Sequence, residues 1–150
     1  MFNIIKYDPK FKEGLVSCYV AARYALEAHP DFHEDIFDIE ANYFHKGDMF
    51  WIAIDNNSCV VGMLGTATIS QTDMWLKRLF IEPKMKRKGI ASSLLKTVEE
   101  YAKSKNIVRI HTRFNSSYDE ASHFYLSKGF LESKQEDEIR YFVKNMSCGL

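Results

Sequence analysis

The sequence has few cysteines and no long apolar run, and each absence excludes a class of protein. Cys18, Cys59 and Cys148 are odd in number and widely spaced, so they match neither a disulfide framework nor a zinc site. We therefore expect no metal and a reducing cytoplasm. No stretch approaches the ~18 apolar residues of a membrane helix, and Lys6 and Asp8 stand where a signal peptide would be apolar. The protein should be soluble, unprocessed and not bound to a membrane.

A net charge is also lacking. Lys plus Arg and Asp plus Glu number 20 each, so no overall field attracts the protein to nucleic acid, and any anion site must be local. Of the 150 residues, 46% are hydrophobic and 14% are aromatic, which is enough for one packed core. Because no repeat, linker or low-complexity segment interrupts the pattern, residues 1–150 are predicted to form a single domain.

Hydrophobic periodicity predicts strands that alternate with helices. In chain order we expect a strand at 2–6, helices at 9–27 and 35–44, strands at 49–54, 59–69 and 75–81, a helix from residue 90, a strand at 108–114, a helix at 119–126, and closing strands at 130 and 139–143. The strand at 59–69 is almost entirely apolar or small, which indicates burial on both faces. Hairpins together with one βαβ crossover indicate a mixed α/β fold.

The segment from Leu79 to Leu95, LFIEPKMKRKGIASSLL, carries the most functional information. Pro83 stops a strand, and a helical period begins at Ile90 after a tight turn. The unpaired N–H groups of a helix's first turn and the positive end of its dipole attract an anion such as a phosphate. Four cationic residues add charge there: Lys84, Lys86, Arg87 and Lys88. Gly89 and Ala91 are small enough for phosphates to approach the backbone.

Residue type excludes two common phosphate loops. A Walker loop needs Lys and then Ser or Thr after its last glycine, whereas Ile90 follows Gly89; a dinucleotide fingerprint needs three spaced glycines. The segment KMKRKGIA instead resembles the acetyl-CoA pyrophosphate loop of the GNAT superfamily of acyl-CoA-dependent N-acyltransferases, with Lys86, Gly89 and Ala91 at the motif positions. Two residues depart from the motif. Lys86 replaces the usual Gln or Arg, and Arg87 stands where many members carry a further glycine.

A second segment, NSSYDEASHFYLSKGF, resembles the next motif of the same superfamily. In that motif an Asn precedes a short helix with Ala and Tyr, and a Gly-Phe pair follows. Asn115, Ala121, Tyr125, Gly129 and Phe130 correspond to these positions. Since the two motifs occur in the right order, the resemblance covers roughly residues 49–143, and the N-terminal third is compatible with it.

The resemblance implies a GNAT fold, with a mixed sheet of about seven strands whose two central parallel strands splay apart, and acetyl-CoA as the cosubstrate. Backbone groups of the strand end would hold the pantetheine and acetyl group, and N–H groups of the loop would bind the pyrophosphate. The implied cofactor-binding residues are Leu79, Phe80, Ile81, Lys86, Arg87, Lys88, Gly89, Ile90, Ala91, Asn115 and Tyr125. Tyr125 is also the candidate general acid, because a phenol with a pKa of about 10 can reprotonate a thiolate of similar basicity.

The sequence does not identify the general base. A carboxylate, an imidazole or a water chain must take a proton from the amine. His111 is one candidate, because strand alternation places it on one face with Arg109 and Arg113. The others lie between the first two predicted helices: Glu27, His29 and Asp31. The acidic residues that follow them could attract a cationic amine or compensate a helix dipole: Glu34, Asp35, Asp38 and Glu40.

The sequence therefore predicts an N-acetyltransferase that acts on a primary amine of a small molecule or peptide by direct transfer in a ternary complex. Two alternatives remain. A catalytically silent acyl-CoA-binding regulatory module could use the same fold, and the basic loop could belong to a nucleic-acid-binding domain. We expect no nucleic acid, because four charges without interleaved aromatics in a neutral chain are typical of a solvated loop or a phosphate site. Acceptor identity, acyl chain length and homodimer formation stay open.

Overall fold

The computed structural model describes residues 1–146, so Cys148 lies outside the described residues. Seven strands are present in this range: β1 (Phe2–Lys6), β2 (Phe50–Asp55), β3 (Val60–Thr68), β4 (Asp73–Ile81), β5 (Arg109–Asn115), β6 (Leu131–Glu136) and β7 (Ile139–Asn145). Four α-helices accompany them: α1 (Lys12–Leu26), α2 (Ile39–Asn42), α3 (Ile90–Ser104) and α4 (Asp119–Ser127). The predicted order of strands and helices is confirmed.

The strands form one sheet in the order β1-β2-β3-β4-β5-β7-β6. β1 pairs antiparallel with β2, β2 with β3, β5 with β7, and β6 with β7, whereas β4 and β5 are parallel. The sheet is therefore mixed, as predicted. β3 is buried from Val60 to Thr66, which confirms the expected burial on both faces of this strand.

The parallel ladder between β4 and β5 is short. Its recorded register joins Asp73 with Arg109, Met74 with Ile110, and Trp75 with His111. No further pair joins these two strands within residues 1–146, although β4 runs on to Ile81 and β5 to Asn115. β5 pairs with β7 along its whole length instead. A short ladder between two longer strands is the feature that the predicted splay requires.

The chain forms two compact units. The first consists of Met1–Ala67 and Lys77–Glu100, and the second of Thr68–Leu76 and the described residues from Tyr101 onward. In the first unit, α1 buries one face, including Leu15, Cys18 and Tyr19, against residues of β2 and β3. The predicted helical period therefore marks the packed face of α1.

One predicted element is wrong. The single helix expected over residues 35–44 is instead a 3-10 turn at Glu34–Phe37, the four-residue α2, and a second 3-10 turn at Phe44–Lys46. The break lies at Asp38, whose backbone is non-helical (φ −150°) and whose carboxylate accepts the N–H of Ala41 at 3.1 Å. An Asp at this position caps a new helix rather than continuing the previous one.

The second unit has an aromatic core under α4. Tyr125 stacks on Phe114 with ring centroids 5.7 Å apart, and it meets Phe124 and Phe130 edge-on at 5.2 and 5.1 Å. Phe142 of β7 lies 5.0 Å from Phe114. These contacts fix α4 on the strands β5 and β7.

Candidate functional site

The loop between β4 and α3 is anchored at its start by Glu82. The N–H of Glu82 donates to the carbonyl of Val61 on β3 at 2.9 Å. The Glu82 carboxylate accepts the N–H of Lys84 at 2.8 Å, and its carbonyl accepts the N–H of Met85 at 2.8 Å, which forms a 3-10 turn at Pro83–Met85. The strand end and the beginning of the loop are therefore held in place before the basic residues are reached.

Two residues of the loop have left-handed backbones. Lys86 is extended, with φ −65° and ψ 153°, whereas Arg87 has φ 64° and Gly89 has φ 84°. Gly89 adopts such a backbone freely, but a side-chain residue such as Arg87 does so at a cost of roughly 1–2 kcal/mol. The position at which many family members carry glycine thus has a glycine-like backbone here, although the residue is arginine.

Helix α3 begins directly after Gly89, whose carbonyl accepts the N–H of Ser93 at 3.0 Å. This bond makes Gly89 the N-cap, and a glycine has no side chain with which to satisfy the first N–H groups of the helix. The first turn contains no acidic residue. A Cβ built on Gly89 would meet no atom within 4 Å, so it would occupy open space in front of the helix N-terminus.

The donor set of this loop fits a diphosphate. Backbone N–H groups at a helix N-terminus and exposed cationic side chains favour a group with several anionic oxygens. Lys86, Arg87 and Lys88 are exposed, whereas Ile90 is buried and anchors the helix. All six predicted loop residues, 86–91, therefore lie at this helix N-terminus, and their contact with a cofactor stays a prediction.

Strand β4 contains an irregularity that sequence reasoning missed. Arg78 has φ 63° in the middle of the strand, next to Leu79, Phe80 and Ile81. Its guanidinium donates to the Asp35 carboxylate through Nε and Nη2 at 3.0 to 3.2 Å. A left-handed residue interrupts the alternation of side chains along a strand, so it changes the direction of the backbone N–H and C=O groups that follow. No residue type in the sequence signals this conformation, because arginine rarely adopts it.

Asp35 connects this irregularity to α2. Besides Arg78, it accepts the hydroxyl of Tyr43 at 2.5 Å. The two donors and the Arg78 charge hold the pKa of Asp35 below its usual value despite the opposing effect of burial. Burial, followed by the hydrogen bond to Asp35 and the negative charge of Asp35, raises the pKa of Tyr43. The acidic cluster therefore acts structurally at Asp35 and as a cap at Asp38, and the cation that Asp35 pairs with is the chain's own Arg78.

His33 packs in the first unit next to Phe80. Its backbone N–H donates to the hydroxyl of Tyr19 at 2.7 Å, and its Nδ1 lies 2.6 Å from the same oxygen. The rings of His33 and Phe80 are 6.4 Å apart, and those of Tyr19 and Phe80 are 5.2 Å apart. Burial and the nearby charges of Arg78 and Arg23 lower the pKa of His33 to about 4. His33 is therefore neutral at pH 7.

Tyr125 is a buried core residue with 5% exposure. Burial raises its pKa to about 12, and a hydrogen bond with the Thr112 side chain opposes this shift. The phenol is therefore protonated over the whole physiological pH range. It lies on the packed face of α4 in the second unit, and its hydroxyl has the Thr112 side chain as a hydrogen-bond partner.

The second motif holds Tyr125 through the end of its helix. Gly129 has φ 90°, its N–H donates to the Leu126 carbonyl at 3.2 Å, and the N–H of Phe130 donates to the Tyr125 carbonyl at 3.0 Å. These two bonds form a Schellman motif, and the ring contact between Phe130 and Tyr125 is its usual hydrophobic partner. The spacing of Tyr, Gly and Phe is therefore explained by the termination of α4.

Asn115 acts locally. Its side-chain oxygen accepts the N–H of Ser117 at 2.9 Å and the hydroxyl of Ser117 at 2.8 Å, and its carbonyl accepts the N–H of Tyr118 at 3.0 Å. This Asx turn carries the chain from β5 into α4. The structure shows Asn115 shaping the turn, and its predicted contact with the cofactor stays a prediction.

The base candidates differ in their surroundings. Glu27 is paired with Arg23 at 2.7 Å, and Arg23 also donates to the Asp31 carbonyl, whereas His29 is exposed. His111 lies in the second unit, with its Nε2 2.6 Å from Oδ2 of Asp73. Arg109 donates to the same carboxylate at 2.9 Å, and the guanidinium of Arg113 lies over Trp75, which confirms that residues 109, 111 and 113 share one face.

Neither a metal cluster nor a membrane-spanning helix occurs in the part of the chain that the structure describes. Residues 1–146 contain no group of three or more His, Cys, Asp or Glu side chains placed to hold a metal ion. None of the helices within this range is long and apolar enough to cross a bilayer.

Comparison with known proteins decides the family. Residues 20–143 match the family described as the Acetyltransferase (GNAT) domain. The chain belongs to the GNAT family. Acetyl-CoA-dependent acetyl transfer is general to this family, which is a family of acyltransferases, and the predicted resemblance and fold class are confirmed.

Two solved structures of acetyltransferases have the same fold as this chain. A crystal structure of a GNAT-family acetyltransferase from Staphylococcus aureus Mu50 is 26% identical and has a TM-score of 0.87, with coverage of 97% of this chain and 99% of that one. PaiA N-acetyltransferase from Thermoplasma acidophilum, solved in complex with coenzyme A, is 18% identical with a TM-score of 0.80 over 97% of this chain and 99% of that one, which shows the shared fold.

A relative found by sequence matches a smaller part of this chain than the two solved structures do. Human N-acetyltransferase 8 is 29% identical over 107 residues, which are 67% of this chain and 47% of the relative. The chain spans about half the length of the curated relatives that it matches.

Proposed function

We propose that this GNAT protein transfers an acetyl group from acetyl-CoA to a primary amine of a small molecule or peptide, and that residues 1–150 act as one domain. The loop at 86–91 carries the proposal. It combines a glycine N-cap, a helix N-terminus without acidic residues and three exposed cations. These groups favour the diphosphate of coenzyme A more than any other ligand class considered above.

Different parts of the loop have different roles in the proposal. N–H groups from Arg87 to Ala91 bind the phosphate oxygens directly, since their positions are set by the helix and by the left-handed backbones of Arg87 and Gly89. Lys86, Arg87 and Lys88 add charge contacts from exposed side chains, which salt screens. Binding should therefore weaken at high ionic strength without being abolished.

The end of β4 supplies backbone groups rather than side chains. Leu79, Phe80 and Ile81 follow the left-handed Arg78, and this change in backbone direction supports a role for their N–H and C=O groups toward the pantetheine and acetyl group. An N–H there would stabilise the oxyanion that develops when the amine attacks the carbonyl carbon. Acetyl-CoA supplies the activated thioester, and the protein supplies position and charge stabilisation.

Tyr125 is the proposed general acid. When the carbon–sulfur bond breaks, its electron pair goes to sulfur, and the phenol of Tyr125 donates a proton or a hydrogen bond to the thiolate. The raised pKa of about 12 keeps the phenol protonated and makes it a weaker acid, so its main contribution in this proposal is a hydrogen bond to the departing thiolate. The Schellman motif at Gly129 and Phe130 fixes the backbone of Tyr125 for this role. No covalent intermediate with the protein is needed.

One observation favours the second candidate, a catalytically silent acyl-CoA-binding regulatory module. Tyr125 is 5% exposed and its hydroxyl already has the Thr112 side chain as a partner. These features are also those of a core tyrosine that only packs. In this alternative the loop at 86–91 still binds CoA, but no acetyl group is transferred. A cytoplasmic location, the lack of nucleic-acid binding and any homodimer stay predictions.

An assay of thiol release separates the two candidates. Acetyl-CoA is mixed with phenylethylamine, spermidine, L-phenylalanine or a lysine-containing peptide, and free CoA thiol is measured. We expect turnover with at least one amine and a loss of tenfold or more in Tyr125→Phe. Tyr118→Phe is the matched control, because Tyr118 lies beside the same helix with only backbone hydrogen bonds described. Calorimetric binding of CoA with no turnover on any amine would favour the silent module.

A further inference from the structure

Strand β4 bends at a residue whose side chain disfavours the bend. Within residues 1–146, Arg78 is the one strand residue with a left-handed backbone, at φ 63°, and the other positive φ angles belong to residues outside the strands. A glycine adopts this conformation freely, whereas a residue with a side chain adopts it at a cost in free energy. Some interaction of the Arg78 side chain must therefore offset that cost.

The offsetting interaction is an ion pair that uses both carboxylate oxygens of Asp35. Nε of Arg78 lies 3.2 and 3.1 Å from Oδ1 and Oδ2 of Asp35, and Nη2 lies 3.0 Å from Oδ1. The side chains of Arg78 and Asp35 are 23% and 17% exposed, so solvent screens this pair less than it screens a surface pair. The planar guanidinium fixes direction as well as distance. The pair therefore holds Arg78 in one orientation.

Asp35 is itself held by the core of the first unit. Its Oδ2 accepts the hydroxyl of Tyr43 at 2.5 Å, and Tyr43 is 1% exposed with its ring 4.9 Å from that of Phe50. The residue after Asp35, Ile36, is also 1% exposed. All of these residues, and Arg78 with them, belong to the first unit. The bend in β4 is therefore anchored to packed side chains.

The end of β4 that follows Arg78 is held by a second contact in the same unit. The ring of Phe80 lies 5.2 Å from that of Tyr19, which is 0% exposed in α1. Because Arg78 and Phe80 are two positions apart, the backbone between them, at Leu79, is held from each end. An oxyanion is stabilised best by N–H groups that are fixed in position before the charge develops. The end of β4 has the fixed backbone that this role requires.

We propose that Asp35 is a positioning residue of the transferase: through Arg78 it holds the bend in β4, and the bend directs backbone N–H groups of residues 79–81 toward the oxyanion. The inference rests on the proposed function. The amine nitrogen bonds to the acetyl carbonyl carbon, the carbonyl oxygen takes the negative charge, and the electron pair of the carbon–sulfur bond then leaves with sulfur. Asp35 exchanges no proton in these steps. Its carboxylate is engaged by Arg78 and Tyr43, so it is not the group that binds a cationic amine.

The first test uses the different backbone preferences of Gly and Ala at residue 78. Arg78→Gly and Arg78→Ala both remove the ion pair, but only Gly takes the left-handed backbone without cost. With acetyl-CoA and the best amine of the assay, we expect kcat to fall about tenfold or more in Arg78→Ala, and to be at least about threefold higher in Arg78→Gly than in Arg78→Ala. A side chain that contributed only stability to the folded protein would give the two variants the same kcat.

The second test, Asp35→Ala, asks whether Asp35 acts through Arg78. In the unmodified background we expect kcat to fall about tenfold or more, while KM for the amine and the calorimetric CoA affinity stay within about threefold. In the Arg78→Gly background the same substitution should change kcat by less than about threefold, because no side chain is left for Asp35 to hold. Asp35→Asn keeps the volume and one acceptor oxygen, so its kcat should lie between those of Asp35→Ala and the unmodified protein. Circular dichroism before each assay verifies that the variant is folded.

Glu132→Ala is the matched control. Glu132 accepts Nε and Nη2 of Arg140 at 2.9 and 3.0 Å, so this pair also joins a guanidinium to both oxygens of one carboxylate. Glu132 belongs to β6 in the second unit, outside the strand and loop that are proposed to bind the cofactor. Loss of this pair should therefore change kcat by less than about threefold.

The outcomes separate the inference from the proposed function. Equal kcat in Arg78→Gly and Arg78→Ala, or an equal loss from Asp35→Ala in both backgrounds, overturns the positioning role and leaves the transferase intact. A higher KM for the amine with unchanged kcat in Asp35→Ala would make Asp35 part of acceptor binding, and this result also overturns the inference. CoA binding without turnover by the unmodified protein overturns the proposed function, and the inference with it.

Discussion

At Arg78 we expect replacement by Gly to leave the protein more stable than replacement by Ala, which is the reverse of the order at ordinary strand positions. Its backbone has φ 63° within β4, and its side chain pairs with Asp35. A strand interior normally prefers Ala to Gly by about 0.5–1 kcal/mol. At a left-handed residue the preference reverses, because a Cβ costs roughly 1–2 kcal/mol there. Arg78→Gly and Arg78→Ala remove the same side chain and differ only in this backbone effect.

The magnitude follows from the exposure of the pair. The Arg78 and Asp35 side chains are 23% and 17% exposed, between a surface pair worth about 0–1 kcal/mol and a buried one whose breakage costs about 3–5 kcal/mol. We expect a loss of about 2 kcal/mol in the free energy of unfolding from the pair in both variants. Relief of the left-handed backbone should return about 1 kcal/mol in Arg78→Gly. The Gly variant should therefore be the more stable one.

Urea denaturation followed by circular dichroism gives the two free energies of unfolding. Lys77→Ala and Lys77→Gly are the matched control, since Lys77 is the preceding residue and its φ is not positive. There the Ala variant should be the more stable one by about 0.5–1 kcal/mol. If Arg78→Ala equals or exceeds Arg78→Gly in stability, the left-handed conformation of Arg78 is refuted.

Two other predictions use the same kind of measurement. The pKa of His33 falls from 6.5 to about 4 on folding, so the unfolded chain binds a proton more readily than the folded one. The contribution of His33 to the free energy of unfolding is therefore fully present above pH 6.5. About 2–3 kcal/mol of it is lost as the pH falls to about 4. This slope should be absent in His33→Asn, and an unchanged slope would contradict the assignment. Gly89→Ala meets no atom within 4 Å but places Cβ on a backbone with φ 84°, so it should lose about 1 kcal/mol of stability and weaken CoA binding measured by calorimetry. Full retention of both properties would count against a left-handed, ligand-facing Gly89.

Hydrophobic periodicity, together with the residues that end helices and strands, was enough to predict most of the fold. β1 was predicted with its observed bounds, and α3 with its observed start at Ile90. Ile90 and Leu94, at the predicted spacing, are 1% and 0% exposed. These signals are strong because burial imposes a regular repeat on the sequence. The helix predicted at 35–44 failed because Ile36, Ile39 and Tyr43 have helical spacing, yet Ile36 lies on the first 3-10 turn, Ile39 on α2, and Tyr43 between α2 and the second 3-10 turn.

The candidate site was predicted less completely. The loop at 86–91 and the helix with Tyr125 were found through motifs, and the structure adds why the spacing exists, namely the left-handed Gly89 and the Schellman motif at Gly129. The pairing of His111 with Asp73 spans 38 positions in the sequence. No local pattern reports such a contact, because it depends on the parallel register of β4 and β5. Arg78 was missed for a different reason, since its backbone conformation is imposed by tertiary contacts.

The most direct test of the account is an NMR titration of the protein with coenzyme A. The account predicts that the backbone amide signals of residues 87–91 shift progressively and saturate as CoA is added, because these N–H groups bind the diphosphate. It also predicts that inorganic salt reduces the apparent affinity by screening the exposed cations. If these amide signals do not move at millimolar CoA, the loop does not bind the cofactor and the proposed function is contradicted.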